Sequence, residues 1–362
     1  MARINAFELE DLIPSLPDVE RLTGTPRKID LYLCALGFEP RCLAVAERLA
    51  EEKPSVGICR YIELNTNVED NKRNLEDLMG LLSSVSSDLN GLNADKSDFE
   101  RRLKLLLSRL EADLGRHPVV VFDISVAANR LLLRTFKALI ESSAILYVTY
   151  AEATIYHPTE REFNDNRDRW IGDDELGMEI GVSSIMPSTE YAGQHLDPLP
   201  NCIILFPSFR KDRSLAVTCQ VDETLVTNPR DNVIWILGVP RLEANRWRTD
   251  AMKEINQIPD SAPQYEITTF DYRETLSTLE RIYRDRWEKF NITISPLGSK
   301  LQAIGTALFC QLHPDTKLVF AAPRQYNATE WSDGISEQWM ISFGETAELR
   351  RLLERVGTLR VD

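Results

Sequence analysis

The chain has 362 residues, of which 43% are hydrophobic and 27% are charged, and its formal net charge is −14. Its length predicts about two domains, and its composition is typical of a globular protein and excludes a disordered one. Because a negative charge repels phosphate groups, binding of duplex nucleic acid is not expected.

Membrane and disulfide-rich classes are also not expected. The longest apolar runs are short, such as residues 119–122, whereas a bilayer span needs about 20 apolar residues. The first residues, MARINAFELEDL, contain acidic groups and no apolar signal segment. The six cysteines are scattered without a CxxC pair or a Cys/His cluster, so no disulfide framework, metal site or bound cofactor is predicted. We therefore expect a cytoplasmic protein with buried thiols and no membrane partner.

Strands and helices alternate through residues 1–165, the first predicted lobe. Apolar runs predict strands, and segments with helical spacing of apolar residues predict helices. The strands are predicted at 29–36, 58–64, 119–123 and 144–150, and the helices at 41–52, 69–115 (with a break near 83–97) and 131–140. This alternation predicts a parallel sheet with helices on both faces.

Residues 166–200 are rich in Asp, Gly, Pro and Ser and are predicted to form a linker or lid. Residues 201–362 then form a second predicted lobe that closes with a helix. Its strands are predicted at 202–206, 233–237, 292–294 and 318–321, and its helices at 211–219, 241–255, 272–289, 301–311 and 346–355. The expected fold class is α/β, with two Rossmann-like, doubly wound lobes whose sheets are mainly parallel.

The second lobe resembles a copy of the first. The segment that starts at Arg41 matches the one that starts at Arg213, and residues 123–130 match residues 293–300 without a gap and at nearly the same spacing. An internal duplication explains this shared order. The alternative is that any two doubly wound lobes share such spacing through their common geometry.

Ligands of open parallel α/β sheets bind beyond the carboxyl ends of the strands. Each lobe carries cations just after a strand-to-helix turn at that edge: Arg41 and Arg130 in the first lobe, Arg213 and Lys300 in the second. Because a helix N-terminus offers free N–H groups and a positive dipole end, these positions predict anion sites.

The segment SPLGSK at residues 295–300 is the best single candidate for such a site. Ser295 opens the segment, Gly298 would allow close backbone approach, and Ser299 would be a hydrogen-bond donor or a helix N-cap. The alternative is that the serines only cap the helix and that the side chain of Lys300 is solvated.

Two other groups of residues are expected at this edge. In the segment at 323–327, which WSDG at 331–334 follows, Tyr326 could stack on a base and Asn327 or Gln325 could hydrogen-bond to its edge. An equally plausible alternative is a surface turn with a core-facing aromatic side chain. The loop at 150–157 is the expected counterpart of this segment in the first lobe. Glu39 and Asp123 are the carboxylates predicted for acid–base chemistry. At such a position, however, an Asp residue such as Asp123 more often orients its loop by accepting backbone N–H bonds. The sequence contains no GxxxxGK[ST], GxGxxG, GxSxG or HExxH motif, so the corresponding enzyme classes have no motif support.

The first lobe resembles the CARF domains, the nucleotide second-messenger sensors of CRISPR and anti-phage systems. Their second motif is approximately D-x-[ST]-G-G-T-K, and both DIS at 123–125 followed by Arg130 and ISPLGSK at 294–300 are similar to it. Two such lobes in one chain look like the SAVED arrangement of fused CARF-like units. The resemblance implies a separate effector protein and the following ligand contacts: phosphate at Ser125, Arg130, Ser295 and Lys300, with Arg41 and Arg213 completing the pocket.

Three functions follow from these observations. The first is a nucleotide sensor, with a small anionic and possibly cyclic oligonucleotide ligand, that acts with a separate effector in anti-phage defence. The second is a nucleotide-processing hydrolase or transferase that uses Asp123 or Glu39. The third is a scaffold subunit of a defence complex.

Overall fold

A computed structural model describes residues 6–172 and 179–358. The chain forms two compact units. Unit 1 contains the chain up to Tyr156 together with the chain from Ala328 onward, and unit 2 is His157–Asn327.

The described residues contain fifteen strands and fourteen helices. The strands are β1 Val19–Arg21, β2 Lys28–Ala35, β3 Ser55–Glu63, β4 Asp88–Asn93, β5 Val119–Asp123, β6 Ile145–Ala151, β7 Ile155–Tyr156, β8 Glu179–Pro187, β9 Asn201–Leu205, β10 Val233–Val239, β11 Gln264–Thr268, β12 Asn291–Ser295, β13 Lys317–Tyr326, β14 Ser332–Asp333 and β15 Gln338–Glu345. The helices are α1 Ala6–Ser15, α2 Ala44–Glu52, α3 Val68–Asn71, α4 Leu75–Ser83, α5 Phe99–Leu114, α6 Asn129–Ile140, α7 Glu160–Asp165, α8 Arg167–Ile171, α9 Lys211–Val221, α10 Thr224–Thr227, α11 Trp247–Ile255, α12 Tyr272–Arg286, α13 Lys300–Leu312 and α14 Thr346–Thr358.

The main sheet of unit 1 has the strand order β1-β15-β6-β5-β2-β3-β4. Strands β6, β5, β2, β3 and β4 run parallel, whereas β15 pairs antiparallel with β6, and β1 pairs antiparallel with β15. Numbered along the chain, the parallel strands lie in the order 3-2-1-4-5, which is the order of the first five strands of the Rossmann arrangement. The side chains of β2 are buried except at its first residue, as expected for a strand covered on both faces.

The sheet of unit 2 has the order β11-β10-β9-β12-β13-β8. Its parallel strands also lie in the order 3-2-1-4-5, and an antiparallel strand, β8, again lies beside the fifth. Both units are therefore Rossmann-like, and the expected α/β fold class is confirmed. The shared strand order is expected both from an internal duplication and from the common geometry of doubly wound lobes, so the duplication stays a prediction.

The core of unit 1 shows how the helices cover the sheet. On one face, Tyr32 and Val121 of the sheet pack with Val45 of α2 and with Leu78 and Leu82 of α4. Helices α5, α6 and α14 contact one another in series, and α14 also contacts β15. The apolar spacing of these helices matches the positions that they bury.

The structure corrects the predicted lobe boundaries. Residues 328–362 were expected in the second lobe, but β15 pairs with β6 along most of its length, so this part of the chain belongs to unit 1. The expected linker at 166–200 contains β8, which forms an edge of the unit 2 sheet. Strands β4 and β11 lie where no strand was expected. The predicted loop at 323–327 is also wrong in part, because β13 continues to Tyr326.

Candidate ligand-binding site

The carboxyl ends of β2, β5 and β6 bring several of the predicted residues together in unit 1. Gly37 follows β2 and lies against the loop after β5, because a Cβ atom at this glycine would be 2.9 Å from Cγ2 of Val126. The side chain of Asn74 donates hydrogen bonds to the carbonyl groups of Gly37 and Glu39, at 2.8 and 3.1 Å. These contacts fix the turn that carries Glu39 and Arg41.

Arg41 lies buried at the centre of this edge, with 4% of its surface exposed. Its Nε donates to Oε2 of Glu39 at 2.8 Å, and its Nη1 donates to the carbonyl oxygen of Ala151, at the end of β6, at 3.2 Å. The guanidinium carbon lies 5.9 Å and 5.6 Å from the ring centroids of Tyr150 and Tyr156. The Arg41 side chain thus connects the loop after the first parallel strand to the end of the fifth.

The charge of Arg41 is compensated inside the unit. Burial lowers the pKa of this guanidinium, but the Glu39 carboxylate and the two tyrosines raise it, and the net pKa lies above the ordinary value. Glu39 is 6% exposed and also accepts a hydrogen bond from the hydroxyl group of Ser332. A buried ion pair held by further hydrogen bonds is the arrangement in which desolvation of the charges is best compensated.

Asp123 and Ser125 hold the loop after β5. The backbone N–H of Ser125 donates to Oδ1 of Asp123 at 3.0 Å, its hydroxyl group donates to the same oxygen, and it accepts from the N–H of Ala151 at 2.8 Å. The hydroxyl group of Tyr32 lies 3.3 Å from Oδ2 of Asp123. Burial raises the pKa of Asp123 to about 6, against the lowering effect of these hydrogen bonds. Asp123 therefore orients the loop, which was one of its two predicted roles.

Arg130 is placed differently from Arg41. It is half-buried in the first turn of α6, and no hydrogen bond or ion pair involves its side chain among the residues that the structure describes. No side chain caps the helix N-terminus, and the first turn contains no acidic residue. Helix N-termini attract anions through their free N–H groups and dipole. Arg130 therefore keeps its guanidinium and its helix end available for an anionic group.

Unit 2 repeats the buried arginine. Arg213 is 8% exposed, and its Nε and Nη2 donate to the carbonyl oxygen of Ala321 at 3.2 and 2.7 Å. Ala321 lies in the fifth parallel strand of its sheet, as Ala151 does in unit 1. The matched arginines thus make the same kind of contact in both units.

The carboxylate of unit 1 has no counterpart in unit 2. In the gap-free sequence match Thr293 lines up with Asp123, whereas in the structure β12 ends at Ser295 as β5 ends at Asp123, and Thr293 and Ser295 are both fully buried. Neither hydroxyl oxygen has a hydrogen-bond partner in the described part of the chain. Ser295 is therefore buried in the end of β12 and does not lie in an open loop.

Ser299, Gly298 and Lys300 lie at the start of α13. The hydroxyl group of Ser299 accepts from the N–H of Gln302 at 3.1 Å, and the Gln302 side chain accepts from the N–H of Ser299 at 2.9 Å, which is a capping box. A Cβ atom at position 298 would lie 2.3 Å from Oε1 of Gln302 and 3.0 Å from the Phe206 ring, so this glycine leaves room for those side chains. Lys300 is half-buried at the first position of the helix.

Tyr326 and Asn327 lie at the end of the unit 2 sheet. Tyr326 is the last residue of β13, it pairs in register with Glu179 of β8, and Asn327 follows it. Both side chains are partly exposed. Their predicted ligand contacts stay a prediction.

Sequence reasoning missed that residues 331–334 belong to the unit 1 site. Trp331 lies edge-to-face with Phe38, at 6.4 Å between ring centroids, and Ser332 contacts Glu39. The only signal was composition, since the segment WSDG stood out as rich in aromatic and polar groups. Tyr150 and Tyr156 lie in the segment at 150–157, which was expected only as the counterpart of the loop at 323–327.

Histidine, cysteine and acidic residues are the other residue types that could bind a metal ion or form a disulfide. Among residues 6–172 and 179–358, no group of three or more His, Cys, Asp or Glu residues could hold a metal ion. Five of the six cysteines are buried, Cys219 being the exposed one, and none forms a disulfide. His313 pairs with Glu280 inside unit 2.

No helix in the described ranges is both long and apolar enough to cross a membrane.

Comparison with known proteins identifies no family. No family model matches the chain, and no curated protein matches it. The multidomain structure of a keto acid-selecting NRPS module, with adenylation, ketoreductase and pseudo Asub parts, is 11% identical, and the match covers 86% of this chain and 21% of that one, with a TM-score of 0.22.

Two smaller proteins match over most of their length. A proposed universal stress protein from Pseudomonas aeruginosa UCBPP-PA14 is 10% identical, with 92% of this chain and 98% of that chain covered and a TM-score of 0.23. A protein of unknown function from Pseudomonas aeruginosa PAO1 is also 10% identical, with 90% and 98% covered and the same TM-score. Similarities at this level carry no argument, so the assignment of two Rossmann-like units rests on strand order and direction.

Proposed function

We propose that unit 1 binds a nucleotide at the carboxyl edge of its sheet and that the chain acts as a nucleotide sensor. The observation that carries the proposal is the juxtaposition, at one edge, of an uncapped helix end bearing Arg130 with the tyrosine pair over Arg41. Phosphate oxygens suit the first feature, because N–H groups and a guanidinium both donate to them. A base suits the second, because aromatic side chains stack on bases.

Binding is favoured over catalysis by the state of the two carboxylates. Glu39 is engaged by Arg41 and Ser332, and Asp123 is engaged by Ser125 and Tyr32. A general acid or base must reach a substrate proton within hydrogen-bond distance. A nucleotide-processing enzyme remains the second candidate, because the pKa of Asp123, at about 6, is close to the range that acid–base catalysis uses.

The resemblance to tandem CARF-like domains extends the proposal. It favours a cyclic oligonucleotide as the ligand and a role in anti-phage defence, with a separate effector protein that responds to the bound state. Binding would act on that effector by favouring one of two conformations for which the ligand has different affinities.

The test is a thermal-stability and calorimetric screen against ATP, NAD, ADP-ribose and cyclic di-, tri- and tetranucleotides. A ligand that binds only the folded state stabilises it by about 2.7 kcal/mol at a hundredfold excess over Kd. We expect Arg130→Ala to weaken binding at least about tenfold, since a hydrogen bond to a charged group is worth about 1.5–3 kcal/mol.

Lys137→Ala is the matched control, because it removes one positive charge from the last turn of the same helix. It should bind as the wild type does. Lys300→Ala tests whether unit 2 contributes to the same affinity. The proposal is wrong if no nucleotide stabilises the protein or if Arg130→Ala binds with unchanged affinity, and product formation during the assay would favour the enzyme instead.

A further inference from the structure

The chain passes between the two units twice, after Tyr156 and after Asn327. On the unit 1 side of both passages the chain is paired: β7 and β14 run antiparallel, with Tyr156 opposite Ser332 and Ile155 opposite Asp333. We call residues 152–156 and 332–337 the connecting ribbon. Its two segments are joined further by backbone hydrogen bonds from Thr154 N–H to Asp333 and from Ser336 N–H to Glu152, at 3.0 and 2.9 Å.

The connecting ribbon also completes the buried cluster of the candidate site. Ser332 is buried, with 5% of its surface exposed, and its hydroxyl group donates a hydrogen bond to Glu39. The ring of Tyr156 lies over the Arg41 guanidinium, and its hydroxyl group lies 3.2 Å from that of Tyr150 and accepts from the N–H of Ala153 at 3.0 Å. One residue from each segment of the ribbon therefore contacts the Glu39–Arg41 pair.

We propose that the Glu39–Arg41 pair couples occupancy of the unit 1 site to the connecting ribbon. The inference rests on the proposed function. A base that stacks on the tyrosine pair moves the Tyr156 ring relative to the Arg41 guanidinium, and this movement weakens the contacts that Tyr156 and Ser332 make with the Glu39–Arg41 pair. Because a buried charge that loses one of its partners is strongly destabilised, the Glu39–Arg41 pair and the connecting ribbon rearrange together.

Thermodynamic linkage gives the inference a second consequence. If a ligand alters the stability of the ribbon, then a change in the ribbon alters the affinity for that ligand by the same factor. Ser332→Ala removes the ribbon's hydrogen bond to Glu39 and leaves Arg41, Tyr150 and Tyr156 unchanged. Ser336→Ala is the matched control, because it makes the same replacement on the same segment, at an exposed side chain.

The experiment is hydrogen exchange of the full chain, measured on peptides that cover the ribbon and on peptides that cover β5 as an internal reference. Without ligand, Ser332→Ala should raise exchange of the Thr154 and Ser336 amides about tenfold and leave β5 unchanged, and Ser336→Ala should behave as wild type. Glu39→Gln, which keeps an acceptor for Ser332 but removes the ion pair, should also raise exchange. Unchanged ribbon exchange in Ser332→Ala and Glu39→Gln would overturn the inference.

The same measurement is repeated with ATP and with cyclic tetra-adenylate as the probes. A probe that binds should change ribbon exchange in the wild type, and its Kd should differ between Ser332→Ala and Ser336→Ala. Binding without either effect would refute the coupling and leave the proposed function standing. If neither probe binds, the proposed function fails for these nucleotides, and the ligand-free comparison alone decides whether the pair and the ribbon are coupled.

Discussion

Asp123→Asn should change how the stability of the protein depends on pH. The pKa of this carboxyl is raised to about 6 from an ordinary value of 3.8, chiefly by burial. A folded-state pKa above the unfolded one means that the folded state holds the proton more tightly. The contribution of Asp123 to stability is therefore complete below pH 3.8 and is lost as the pH rises through about 6.

The size of this effect follows from the two pKa values. The difference between the folded and unfolded pKa values, multiplied by about 1.4 kcal/mol for each pH unit, gives the free energy involved. Asp123 therefore accounts for a loss of about 3 kcal/mol of unfolding free energy between acid and neutral pH. Asparagine keeps an acceptor oxygen for Ser125 and cannot ionise, so the variant should not show this loss. The free energy of unfolding of Asp123→Asn minus that of the wild type should rise by about 3 kcal/mol between about pH 3 and about pH 7.

Urea unfolding of both proteins across this pH range measures the difference directly. Asp30→Asn serves as a control of opposite sign. Burial raises the pKa of Asp30, but its paired hydrogen bonds with Arg116 and that from the N–H of Val119 outweigh burial, and the net pKa is lowered. The stability from Asp30 is present above its ordinary pKa and is lost in acid, so its substitution should cost most at neutral pH. A flat or falling difference for Asp123→Asn would refute the reasoning.

Two further substitutions test the packing and charge of unit 2. Gly298→Ala should destabilise by about 1–3 kcal/mol, because its Cβ would lie 2.3 Å from an oxygen of Gln302, and Gly24→Ala, with no atom within 4 Å, should leave the urea midpoint unchanged. Equal midpoints for these two variants would contradict the packing argument. His313→Leu should cost about 1–3 kcal/mol in the same assay at neutral pH, because the buried Glu280 loses its imidazole partner and keeps only its pairing with Arg284. A cost below about 1 kcal/mol would show that the pair contributes little.

The sequence was sufficient for the central strands of both sheets and insufficient for the edges. Strands such as β5 are buried on both faces and appear as continuous apolar runs, which are easy to identify. Strand β4, DLNGLN, has no fully buried residue and contains glycine and asparagine, which are uncommon in strands. The strand β15 was missed because it belongs to a sheet whose first strand lies more than 300 residues earlier in the chain. A local sequence pattern does not indicate that a segment pairs with such a distant part of the chain.

The candidate site shows the same division. The sequence match between the segments that start at Arg41 and Arg213 predicted that the two arginines occupy equivalent positions. In the structure both donate to a carbonyl group of the fifth parallel strand. The contact of Glu39 with Ser332 joins residues that are 293 positions apart, so no motif could indicate it. The segment at 331–334 was grouped with Tyr326 because they are neighbours in sequence, whereas the chain returns to unit 1 between them.

The comparison of the two units also changes the roles of the predicted cations. Arg41 and Arg213 both donate to a backbone carbonyl of the fifth parallel strand, although the carboxylate of Glu39 is present beside only the first. A contact that both units make, in different chemical surroundings, is explained by the fold, since each arginine connects the loop after the first strand to the fifth strand. The spacing that drew attention to these arginines therefore reflects architecture. Within unit 1, Arg130 is therefore the cation that we expect to contact a phosphate group, because no side chain caps the N-terminus of its helix, α6. The N-terminus of the matching helix, α13, is instead capped by Ser299 and Gln302.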